Sequence, residues 1–200
     1  MYREPPWPGI RLNLKRALLL DVNLTNCSIA EADFTGAQFT GVASFTRAEF
    51  NGSASFEGAE FTDDASSFYG ARFTGPASFA FAEFTGVASF THAEFNGRAS
   101  FEGAEFNGRA SFVGAEFNDS ASFYGARFTG EASFTRAQFA SEASFTRAQF
   151  ASEVDFDCSC ASGPGLKTVW PPGWTTRPAQ PDNGEDPAAQ YLVQSEDPAG

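Results

Sequence analysis

The chain of 200 residues holds 13 basic and 25 acidic side chains, a formal charge of -12. So negative a surface repels nucleic acid, anionic lipid and acidic ligands, and its natural complement is a basic protein groove. No stretch approaches the roughly 20 apolar residues that cross a bilayer, and Met1-Tyr2-Arg3-Glu4-Pro5-Pro6 lacks the apolar run of a signal peptide; a cytoplasmic protein with no membrane contact is expected.

Residues 1–11 form a Pro-rich lead-in in which Pro5, Pro6 and Pro8 bar a regular internal helix or strand. Trp7 is placed to lie against the first turn of whatever follows. From residue 12 a beat sets in. Leu14, Leu19, Leu24, Ile29, Phe34 and Phe39 stand five apart, and two places before each comes a small or apolar residue: Leu12, Ala17, Val22, Cys27, Ala32 and Ala37.

Phenylalanine then takes over at steps of five and six, through Phe45, Phe50, Phe56, Phe61 and on to Phe145, Phe150 and Phe156. Of the 24 phenylalanines, 23 keep this beat and only Phe81 leaves it. A repeat this regular has to be settled before local propensity is read. A step of five advances an α-helix by about 140° beyond a full turn, so the apolar residues would spiral around it and mark no face. Long alternating strands fail too, because polar, Gly-containing intervals separate the apolar pairs. A chain that bends after every pair fits: residues i−2 and i point inward, i−1 points out, and x-Gly turns the corner, glycine accepting backbone angles that other residues resist.

These residues resemble the pentapeptide-repeat family, with a small residue at i−2, Leu or Phe at i and polar residues between, over residues 12–157. The resemblance implies an all-β fold, a right-handed quadrilateral parallel β-helix with four repeats per coil. The 27 ladder residues from Leu14 to Phe156 make about seven coils, a rod roughly 32 Å long at the spacing of stacked strands. One departure from the family pattern is an extra residue in every second unit, such as Val42, Arg98, Ser120 and Glu131, which enlarges two corners of each coil. The seven-residue step from Phe61 to Phe68 adds one more, to be absorbed by a bulge or a longer corner.

The domain reading is a lead-in at 1–11, the β-helix at 12–160, a C-terminal cap at 161–174 and a disordered acidic, Pro-rich tail at 175–200. The cap is expected because a β-helix otherwise presents its last ring layer and unpaired amides to water. Leu166, Val169, Trp170 and Trp174 supply its apolar surface.

Few residues in the chain are placed for chemistry. His92 is alone, Cys158 and Cys160 form a C-x-C with no second pair, and no phosphate-cradling loop is present. The reading is of a non-enzymatic structural or protein-interaction solenoid with no cofactor, metal or small-molecule substrate. The surface pattern carried forward is acidic. Taking rungs in fours aligns Glu60, Glu83 and Glu105 on one wall, continued by Arg127 and Gln149, and Glu49, Glu94 and Glu116 on another, interrupted by Arg72. Serines line the two walls between. Phe81, at a corner, is the candidate partner-facing aromatic. The family resemblance also implies an alternative, since several members mimic duplex DNA and bind type II topoisomerases such as DNA gyrase. Against it, residues 41–160 hold 16 acids and seven arginines, a net of -9, a charge density modest beside that of DNA. Oligomeric state is left open, and an incompletely covered end would invite end-to-end pairing.

Overall fold

The computed structural model describes residues 9–62, 65–162, 168–180 and 183–195; among them the chain is a parallel β-solenoid of about seven coils. Trp7 and the residues before Gly9 lie outside the described residues, as do Asp63 and Asp64. Most strands are two residues long, such as Glu105–Phe106 and Ala110–Ser111, because a corner follows at once. Each pairs with its counterpart one coil on. Phe73 pairs with Phe95, Phe95 with Phe117 and Phe117 with Phe139, a step of 22 residues. The first coil, before the extra residues appear, is shorter: Leu19 pairs with Phe39, 20 residues on.

Four walls result. One glutamate wall is a seven-stranded sheet running from Leu18–Leu20 to Gln149–Phe150. One serine wall is a six-stranded sheet from Ala43–Ser44 to Val154–Asp155. The other serine wall (Ala54–Ser55 to Ala143–Ser144) and the other glutamate wall (Glu49–Phe50 onward) count as one sheet because Ser28–Asp33 runs unbroken across both. Ala65–Ser67 pairs with Val87–Ser89 without a register shift, so the insertion after Phe61 falls before that strand; Ser66 takes the inward small position and Phe68 stays buried.

The interior is built of rings. Phe56, Phe79, Phe101 and Phe123 stack at centroid spacings of 4.8, 5.1 and 4.9 Å with planes within 4° of parallel. Rings in contact lie roughly 3.5–4 Å apart plane to plane, so the wider centroid spacing means each is slid sideways over the next. That is the offset arrangement which ring quadrupoles favour. Neighbouring columns meet edge-on, as Phe101 and Phe112 do at 5.2 Å and 90°. The remaining inward places go to buried alanines such as Ala99, Ala104 and Ala110, since rings already fill the bore.

The corners are of two kinds, a distinction that the glycine pattern alone conceals. After each serine-wall phenylalanine the chain makes a tight turn closed by an amide-to-carbonyl bond three residues back, as in Ala104 N to Phe101 O (3.1 Å). The third residue of that turn has positive φ: +61° at Gly103, and also +56° at Phe81, +55° at His92 and +53° at Arg47. After each glutamate-wall phenylalanine the corner is longer, and its glycines serve close approach. A Cβ on Gly108 would lie 2.3 Å from the Gly86 carbonyl oxygen.

The C-terminal end corrects the expectation of a disordered tail from residue 175. Trp174–Pro178 and Ala189–Gln194 form an antiparallel hairpin, and Ala189–Gln194 also pairs with Cys160–Ser162, extending the second glutamate wall. The acid and proline content hid a six-residue β-prone stretch whose Leu192 and Ala189 are buried. Pro178 ends the outermost strand, where a missing amide donor is tolerated. Val169 continues one serine wall through its bridge to Ser144. Trp170 packs against Phe139, Phe145 and Phe156, and Trp174 lies 5.0 Å from Phe156.

Between the hairpin strands, Arg177 grips the Glu185 carboxylate with both terminal nitrogens, at 2.8 and 2.6 Å, and the Gln180 amide donates to it at 2.6 Å. Arg177 and that amide hold Glu185 at about 2, against an ordinary 4.5. A depressed carboxylate stabilises the folded form above its unfolded value and loses that contribution as pH falls through the folded one. The hairpin is therefore expected to loosen between pH 4.5 and about 2, read as a change in Trp174 emission. Arg177→Ala should remove that step from the acid titration.

Candidate interaction surface

With the bore filled, only outward positions remain for function, and the serines among them have a structural task. At many of the tight turns the serine one place before the phenylalanine accepts from the amide two residues on: Glu57 N to Ser55 Oγ at 3.4 Å, Glu102 N to Ser100 Oγ at 3.5 Å, Tyr124 N to Ser122 Oγ at 3.4 Å. Where serine is absent, Asp33 and Asp155 take over, accepting from Thr35 N at 3.2 Å and Asp157 N at 2.7 Å. Short polar side chains commonly make such bonds to the backbone of a turn. The serine columns thus hold corners in place.

The glutamates carry no such duty. Parallel pairing brings Glu60, Glu83 and Glu105 into one column, followed by Arg127. Carboxylates stacked at roughly 5 Å repel by less than about 1 kcal/mol in water. Gln38 and Asn107 ease this, donating to Glu60 and Glu83 at 3.1 Å. On the other glutamate wall Glu49, Arg72, Glu94 and Glu116 are aligned, and Arg72 neutralises the column through a 2.9 Å ion pair with Glu94. A serine wall separates the two glutamate columns on either side, so the six glutamates form two faces.

Phe81 stands at the tight corner that leads into the Glu83 strand and is 62% exposed. Its ring lies over Gly103 in the next coil, where an added Cβ would come within 2.7 Å of two ring atoms. Backbone bonds from Gly58 N to Ala80 O and from Phe81 N to Glu102 O put Glu57 one coil above Ala80 and Glu102 one coil below. These two flanking carboxylates were missed by sequence reasoning, although their offsets of 23 and 22 residues from position 80 contain the signal. His92 repeats the Phe81 geometry on the opposite corner, its ring over Gly114 and edge-on to Tyr69 at 5.8 Å.

A shallow groove of about 350 Å³ crosses the Ser100 wall between Arg98, Glu102 and Glu142, with Ser100, Ser122 and Ser144 in its floor. Among the described residues no three His, Cys, Asp or Glu side chains converge as a metal site. Cys27 packs at an inward small position, while burial raises both Cys158 and Cys160, helped by Asp157 and Asp186 respectively, so neither is primed as a thiolate.

Stacked two-residue strands around a filled bore define a β-solenoid whose chemistry is all on its outer walls. A family model described as pentapeptide repeats, in nine copies, matches residues 14–66, 68–116 and 112–157. The chain belongs to the pentapeptide-repeat family. Neither the curated proteins nor the solved structures returned a match.

Proposed function

We propose that the rod is a protein-binding scaffold and that the Glu60 wall, with Phe81 at its edge, receives a basic segment of a partner. The observation that carries this is local. Glu57, Glu60, Glu83, Glu102 and Glu105 surround one exposed aromatic, and the outward positions of that corner and wall hold no basic residue over three coils. An apolar anchor within a charged rim is the usual anatomy of a binding hot spot, and charge complementarity would set partner choice and association rate.

The test uses the purified full chain as bait, beside Glu60→Gln/Glu83→Gln/Glu105→Gln and Phe81→Ala. A genuine partner is held by the wild type, released by added salt and lost with both variants. Retention by both would overturn the assignment to this face. Supercoiling by DNA gyrase is measured in parallel. Inhibition that the triple variant abolishes would identify a type II topoisomerase as the partner; Arg72 and Arg127 within the acidic columns argue against it.

A further inference from the structure

The two ends of the rod are complementary. At the C-terminal end the cap closes two walls, through Val169 and through the hairpin, while the other two sheets stop at Gln149–Phe150 and Val154–Asp155. The result is visible in the rings: of the ladder phenylalanines from Phe34 to Phe156, only Phe150 is not fully buried. It lines a groove of about 410 Å³ with Ala148, Val154, Pro171, Pro172 and Trp174. At the N-terminal end the same seven-stranded sheet opens on Leu18–Leu20. Leu19 points inward and is half-buried; Leu18 and Leu20 are 74% and 71% exposed, the highest values among the large apolar side chains described.

Charge distinguishes the ends as well. Residues 9–30 carry Arg11, Lys15 and Arg16 against Asp21 alone. The described residues from 148 onward carry Glu153, Asp155, Asp157, Glu185 and Asp186 against Arg177 alone. Like ends repel and unlike ends attract, and continuing the sheet in its parallel register requires a strand running the same way.

We propose that a second copy of this chain is the occupant of the groove: its Leu18–Leu20 strand adds beneath Gln149–Phe150 in the existing parallel register and sets Leu19 against Phe150. The contact is heterologous, so it does not close on itself and leads to open head-to-tail chains.

The test is sedimentation of the full chain from about 1 µM to about 1 mM, a window that covers weak association, at low and high salt. The mass should rise with concentration past that of a dimer, and salt should suppress the rise. Leu18→Glu/Leu20→Glu spoils one end and Pro172→Arg the other, all at exposed positions that folding does not need. Each variant alone should stay monomeric, and their mixture should form a one-to-one pair and stop there. A wild type that stays monomeric throughout, a variant that associates alone as the wild type does, or a mixture that never pairs would each overturn the proposal.

Discussion

Phe101→Ala is expected to destabilise the rod by about 3–5 kcal/mol, the range for truncating a buried aromatic. The Phe101 ring is stacked between Phe79 and Phe123 at 5.1 and 4.9 Å. It is also met edge-on by Phe90, Phe95 and Phe112 at 5.3, 5.8 and 5.2 Å. Its surroundings cannot collapse into the void, because each neighbouring ring is held in its own column by the strands of its wall. Phe150→Ala removes a ring of the same size at the open end, where stacking comes from Phe128 alone, at 4.8 Å. It is expected to cost less than half as much. Urea denaturation followed by far-UV dichroism compares the two, and a shift of about 1 M or more in the Phe101→Ala midpoint is anticipated. Equal shifts would mean that ring stacking is not what holds the coils together.

Gly108→Ala is the second large effect, and it separates the two kinds of corner. The added methyl would lie 2.3 Å from the Gly86 carbonyl oxygen and 2.5 Å from its carbon. A backbone carbonyl cannot rotate aside as a side chain does, so the coils must part locally. The cost is expected near the upper end of overpacking penalties, about 3 kcal/mol. Gly125→Ala is the control. Gly125 has φ of +65° and nothing within 4 Å of the new methyl, so only backbone strain of about 1–2 kcal/mol applies. Thermal melts of the two variants should rank in that order, and the reverse ranking would show that the corners are limited by conformation and not by coil spacing.

Much of this fold was legible because its determinants are periodic. The inward set Ala99, Phe101, Ala104 and Phe106 can be read from spacing alone, and so can the alignment of Glu60, Glu83 and Glu105, since a fixed coil length converts position into column. What escaped was aperiodic or chemically ambiguous. Gly103 and Gly108 look alike in sequence, yet one is needed for its positive φ and the other for the carbonyl it faces. Ser100 reads as a surface hydroxyl until the amide of Glu102 is found pointing at it. The hairpin at 174–194 escaped because its stability is tertiary. Leu192 is buried only once the strand docks on Cys160–Ser162, and Arg177 meets Glu185 only across the turn. Phe81 was legible as an outlier in its repeat, and Glu60, Glu83 and Glu105 as a column, but not Glu57 and Glu102, which flank Phe81 from other coils of the same corner.

The uniform step of 22 residues from Phe73 to Phe139 also bears on how such a gene can change. Excising one full coil, residues 91–112, would join Phe90 to Val113 where Phe90 formerly met Thr91, leaving every wall in phase and both termini untouched. Length in this molecule is quantised in units of roughly 4.8 Å. Unequal recombination can therefore lengthen or trim the rod without inventing a new core, while a loss that is not a whole number of coils throws all later side chains out of phase with their walls.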